Sequence, residues 1–192
     1  SNKPSIGWVE LAPDDGSNFY QKERSRYFDS KNGVKNTSLI HSVKISDLKP
    51  GTTYRYRVYS QEILDHQGVE VIYGRIAATD VWSKKPLCFT TNDRDKKEIS
   101  FTVLNDIHGR TNDISELLNA VNYEENDMVI YNGDMVSQSK SEEQVFNSFM
   151  NKSIELFAQE KPMYYARGNH ETRGVFATSF QNYFSVKEPH LS

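Results

Sequence analysis

Ile99-Ser100-Phe101-Thr102-Val103-Leu104-Asn105-Asp106-Ile107-His108-Gly109-Arg110 passes without a break from an apolar run into a polar tip, and the same order recurs twice further along. Met128 to Tyr131 is a second apolar run, closed by Asn132-Gly133-Asp134. Met163 to Ala166 is a third, closed by Arg167-Gly168-Asn169-His170-Glu171. Each run has the length and residue types of a buried strand. The stretches between them repeat at helical spacing. Asp113 and Glu116 are placed as a capping box for a helix carrying Ile114, Leu117, Leu118 and Val121. Ser141 and Gln144 form a second box, ahead of Val145, Phe149, Ile154 and Phe157, in a helix that ends before Pro162. Phe176, Phe180 and Phe184 give a last helical pattern. Strands alternating with helices predict a parallel sheet with crossover helices, an α/β domain over 97–192.

Upstream the period changes. Up to about Asn92, alternating segments are separated by turn-rich stretches such as Pro13-Asp14-Asp15-Gly16 and Lys31-Asn32-Gly33, which predicts an all-β domain over 1–92. In Thr53 to Tyr59, the residues Tyr54, Tyr56 and Val58 share one face, and Arg55 and Arg57 the other. Leu87 to Thr91 is the closing strand, with Cys88 as a small core residue in it. Leu48-Lys49-Pro50-Gly51-Thr52-Thr53-Tyr54 sets a turn and a tyrosine at the spacing of a tyrosine corner, whose hydroxyl caps backbone groups upstream. This stretch resembles the fibronectin type III pattern. The resemblance implies an Ig-like sandwich in which Gly7-Trp8-Val9-Glu10-Leu11 is the third strand and the first strands are lacking. Asn92-Asp93-Arg94-Asp95-Lys96-Lys97 is the charged junction.

Composition excludes several classes. Hydrophobic residues make up 36% of the 192 and aromatics 12%, enough to bury a core, so disorder is not expected. The net charge is -3 with no long run of Lys or Arg, which gives no support to nucleic-acid binding by bulk charge. One cysteine permits no internal disulfide. No apolar stretch approaches the roughly 20 residues of a membrane-spanning helix, and Ser1 to Ile6 has no signal-peptide pattern.

The three polar tips carry the chemistry. In open α/β sheets the carboxyl ends of the strands form the ligand crevice, so tips far apart in sequence converge on one edge. Asp106 and His108, one residue apart, offer a carboxylate oxygen and an imidazole nitrogen to a borderline divalent cation. Asp134 follows a glycine that lets the chain turn sharply, so its carboxylate can bridge two cations. Asn169 offers a neutral oxygen, which limits charge at a site that also accepts an anion. His170 can face the opposite side and donate a proton to a departing alkoxide or hold a phosphate oxygen. Glu171 orients it or caps the next helix. Arg110 and Arg167 add positive charge toward an anion or serve as surface groups.

In this order, Asp-x-His, then Gly-Asp, then Gly-Asn-His-Glu resembles the calcineurin-like metallophosphoesterase family over about Glu98 to Ser185. With the fibronectin-like part ahead of it, the chain also resembles the secreted bacterial members and, more distantly, the purple acid phosphatases. The resemblance implies two metal ions, Mn, Fe or Zn. Asp106 and His108 would hold the first, Asp134 would bridge, and Asn169 would hold the second. Asn169, His170 and Arg110 would bind a phosphoester substrate. Hydroxide held between the metals would attack phosphorus in line, and His170 would assist the leaving group. A periplasmic or secreted location is implied as well.

Three departures qualify that expectation. His108 stands where purple acid phosphatases carry a different first motif. Ser137 stands three after Asp134, where those enzymes have a Tyr and phosphoprotein phosphatases an Asp. The later His and Gly-His-x-His segment of the family are missing, the last histidine being His190 in Glu188-Pro189-His190. A fragment that binds metal weakly and turns over negligibly is therefore expected. The alternative is a non-catalytic binding or adhesion module with a degenerate phosphoesterase domain. His41 and His66 read as surface or turn residues, and Trp8 and Trp82 as sandwich core or edge.

Overall fold

The structure, a computed structural model, describes residues 1–17, 19 and 23–184. Two compact units divide the chain, Ser1–Asp95 and Lys96–Ser192.

The first unit is an antiparallel sheet. Its strands are β1 (Ser5–Pro13), β2 (Ser25–Phe28), β3 (Ser30–Lys31), β4 (Val34–Lys35), β5 (Thr53–Gln67), β6 (Glu70–Ala78) and β7 (Leu87–Thr90). The order is β2-β1-β5-β6, with β7 also pairing β5, while β3 and β4 form a separate hairpin. Asn32 and Gly33 both have positive φ, 52° and 80°, the backbone that a two-residue hairpin turn of matching twist requires. The tyrosine corner is present: the Tyr54 hydroxyl accepts from the Lys49 N–H at 2.9 Å, and Tyr54 is buried.

Two expectations change in this unit. β5 runs eight residues past Tyr59, and Val58, expected inside with Tyr54 and Tyr56, is 43% exposed. The side covered around Val58 is the opposite one, where Tyr59 stacks on Trp8 at 5.0 Å. His41 is not a surface residue. Its Nδ1 lies 2.9 Å from Asp29 Oδ2 and its Nε2 2.9 Å from Ser5 Oγ, and the ring fills the space a side chain at Gly7 would need. Cys88 is half-buried on β7, and Trp82 is largely exposed.

The second unit is a βαβαβ arrangement: β8 (Phe101–Leu104), α1 (Thr111–Ala120), β9 (Met128–Asn132), α2 (142–158) and β10 (Met163–Ala166). The sheet is parallel in the order β10-β9-β8, with Tyr131 opposite both Leu104 and Tyr165. α2 is continuous but alternates α and π turns. Short turns follow at His170–Thr172, at α3 (Ala177–Phe180) and at Gln181–Tyr183. The final helical pattern is thus broken, although Phe180 is fully buried.

The core is where the helices meet β9. Ile114, Leu118, Val129, Tyr131, Val145, Phe149 and Phe180 have no exposure, and each such side chain contributes about 1.5–3 kcal/mol by leaving water. Leu117, Val121 and Ile154, expected on the apolar faces, are at least 39% exposed. α1 begins at Thr111 with Arg110 at its N-cap and no side-chain cap, so Asp113 caps nothing. It accepts from Arg110 Nε at 2.6 Å instead. At α2 the Ser141 hydroxyl does cap, accepting from Gln144 N at 3.2 Å. The Gln144 side chain, however, accepts from Lys140 N rather than closing the box on Ser141.

Candidate metal centre

All three polar tips leave the carboxyl ends of β8, β9 and β10, and backbone bonds lace the first two together. Asp106 N donates to Gly133 O at 3.2 Å, His108 N to Asp134 O at 3.0 Å, and Gly109 N to Met135 O at 2.9 Å. The parallel pairing thus continues past the strands as a knot of turns. Asp106, His108 and Asp134 all have left-handed backbones, with φ of 57°, 53° and 55°. A non-glycine residue adopts this region uncommonly, and Asn, Asp and His do so most readily. Such backbones gather where side chains must be aimed at one point.

The third tip comes closer still. A side chain at Gly133 would meet the Gly168 backbone at 2.7 Å, and one at Gly168 would meet Asp134 Oδ1 at 2.3 Å. Both glycines are needed for backbone to lie on backbone. His170 N then donates to Asp134 Oδ1 at 3.0 Å, which ties the tip of β10 to the carboxylate at the tip of β9.

His108, Asp134 and His170 each place one ligand atom within 4.8 Å of the others. Two imidazoles and a carboxylate at that spacing are a donor set that fits a borderline divalent cation. The rings of His108 and His170 meet edge to face, with centroids 4.5 Å apart. His170 Nδ1 lies 2.9 Å from the Ser137 carbonyl oxygen. Arg173 Nη1 lies 3.3 Å from the same nitrogen. The tautomer with its proton on Nδ1 serves the closer Ser137 oxygen and leaves Nε2 to face a cation or a substrate.

Asp106 stands at the rim, 62% exposed, with its Oδ1 3.7 Å from His108 Nε2. The Asn169 amide makes its contacts with the nitrogen toward Asp134 Oδ2, at 3.2 Å, and the oxygen toward Arg173 Nη2, at 2.8 Å. To offer oxygen to a cation shared with Asp134, the amide would have to turn over. Arg110 does not reach into the group, because its guanidinium is held by Asp113 and by the Asp106 carbonyl oxygen, 2.9 Å from Nη2. Arg167 faces the Gln181 amide oxygen. His190 lies outside the described residues.

Three participants escaped the sequence. The Ser137 carbonyl is main chain and carries no residue signal, and Arg173 lies beyond the last motif. The four-way hydrogen bonding of Glu171 is also invisible in a motif that merely ends in Glu.

Comparisons with known proteins found two family matches. Residues 99–191 match the family described as Calcineurin-like phosphoesterase, and residues 1–84 match the purple acid phosphatase N-terminal domain. No curated protein matches the chain.

Proposed function

We propose, for a chain that belongs to the calcineurin-like phosphoesterase family and carries a purple acid phosphatase N-terminal domain ahead of it, that the rim of β8, β9 and β10 is the phosphoester-hydrolysing centre. The family generally hydrolyses phosphoester bonds. The observation that carries the reading is the gathering of His108, Asp134 and His170 within 4.8 Å at the end of a parallel sheet.

In this reading Asp106 and His108 would hold one cation, Asn169 with its amide turned would hold a second, and Asp134 would be shared between them. Mn, Fe or Zn suits the mixed nitrogen and oxygen donors. Cations bound there would supply Lewis acidity toward a phosphoryl oxygen and acidify water. The chain's own residues position the rest. His170, its Nδ1 2.9 Å from the Ser137 carbonyl oxygen, would present Nε2 to a departing oxygen. Asn169 and His170 hold the phosphate. Arg110, pinned to Asp113 and the Asp106 carbonyl, acts by its charge at the edge of the site rather than by direct contact. The two functional parts are 1–92 and 97–192, and the resemblance to purple acid phosphatases supports a periplasmic or secreted location. Among the described residues no helix is long and apolar enough to cross a membrane.

Calorimetric titration of metal-stripped protein with Mn2+ and Zn2+ tests the reading, alongside cleavage of p-nitrophenyl phosphate and its bis ester. Cation binding should fall in Asp134→Asn and His108→Ala by more than the roughly 100-fold that loss of an outer partner causes. Cation binding is the primary readout, because negligible turnover is expected of this chain; any residual cleavage, by the faster ester, assigns monoester or diester chemistry. Binding that survives both substitutions contradicts the assignment.

A further inference from the structure

Glu171 is fully buried, and its carboxylate is the meeting point of two tips. Oε1 accepts from Met135 N at 2.7 Å and from Val136 N at 3.2 Å. Oε2 accepts from Asp134 N at 3.0 Å and from Gly168 N at 2.8 Å. Three of these donors belong to the turn after β9 and one to the turn after β10. A buried carboxylate is stable only when its charge is compensated, and here converging backbone N–H groups do so, as they would for a bound anion. Bonds to an ionised acceptor are about twice as strong as neutral ones, so four of them on one carboxylate fasten the two turns together. Nearby, the Tyr165 hydroxyl is pushed far above its ordinary range, first by burial and then by the Glu171 charge, so it stays protonated.

We propose that Glu171 is a positioning residue of the metal centre, an internal anion that fixes the tip of β10 against the tip of β9 and so sets the spacing of Asp134, Asn169 and His170. The proposal rests on the cation-site reading above. Asp134 is gripped at both ends: its N–H is held by Glu171 and its carboxylate by His170 N. Any slackening at Glu171 moves the carboxylate and the imidazole relative to each other, although Glu171 itself touches neither a cation nor a substrate.

The test compares wild type with Glu171→Gln and Glu171→Asp. Glutamine keeps the shape but turns an NH2 group toward two N–H donors, and aspartate is one methylene too short to reach both turns. Ser153→Ala is the control for plain destabilisation, since Ser153 is buried in the helix–sheet core and bonds Tyr131 and Phe149. Mn2+ affinity is read by calorimetry at a temperature where circular dichroism shows every variant folded. Amide hydrogen exchange is read at Asp134, Met135, Val136 and Gly168.

Both Glu171 variants should lose about 10- to 100-fold in Mn2+ affinity and exchange those four amides faster, with Val129 unchanged and Ser153→Ala binding normally. Normal affinity and normal exchange in Glu171→Gln overturn the proposal. So does an affinity loss that Ser153→Ala shares, because that is only reduced stability. If wild type itself binds no Mn2+, the cation-site reading fails. The exchange rates then still decide whether Glu171 holds the turns.

Discussion

Asp106, His108 and Asp134 share a left-handed backbone that no spacing rule reveals, with His108 and Asp134 in the gathered ligand group and Asp106 at its rim. The sequence marked them by position after strands. It gave no sign of their left-handed turns. Gly168 shows the same limit from the other side. It read as a residue permitting close approach, and only the structure shows that what approaches is the carboxylate of Asp134. Gly168→Ala would drive a Cβ to 2.3 Å from Oδ1 and 2.6 Å from the main-chain nitrogen of Asp134. It should cost about 3 kcal/mol and abolish cation binding together with stability, as thermal unfolding and metal titration would show. In the first unit, Tyr54→Phe removes the acceptor for Lys49 N–H and should cost about 1 kcal/mol in denaturant unfolding. An unchanged midpoint would mean that the tyrosine corner is ornamental.

The strands and helices of the second unit were legible because apolar periodicity is written along them, while their ends depended on neighbours. Ser141 caps α2 as its spacing indicates, and Ser141→Ala should cost about 1 kcal/mol. Asp113 has the same spacing to Glu116 but lies inside α1, because Arg110 and the turn from β8 set the helix start. No window of helix propensity contains that turn. The entry to β9 carries a pH signature. The Lys96 ammonium foremost, then the Ser100 N–H, holds the Asp127 carboxyl below the usual carboxylate range. A folded-state pKa that is depressed means a contribution present above the unfolded value and lost as pH falls through the folded one. Acid unfolding should therefore steepen below the ordinary carboxylate range, and Asp127→Asn should flatten that limb. The same acid limb in both proteins would remove Asp127 from the account.

At the scale of the chain, two grammars, antiparallel alternation and then strand–helix alternation, were sufficient to predict an all-β part and an α/β part. The sheet order within each was not legible. β7 and β6 pair successive halves of one long strand, β5, whose length past Tyr59 came from a hairpin with no core behind it to give a hydrophobic pattern. The family was legible for the opposite reason, since three tips with metal-ligand residue types each followed an apolar strand. Which of those residues meet directly depended on turns and on main-chain oxygens. The claim on which everything else depends is that these tips enclose cations. Crystals grown with Mn2+ and measured at the manganese absorption edge test it most directly. The account predicts anomalous density beside the Asp134 carboxylate, within ligand distance of His108 or Asp106. A rim free of density at saturating Mn2+, or a peak bound elsewhere with Asp134 still bonded only to His170 N, would contradict it.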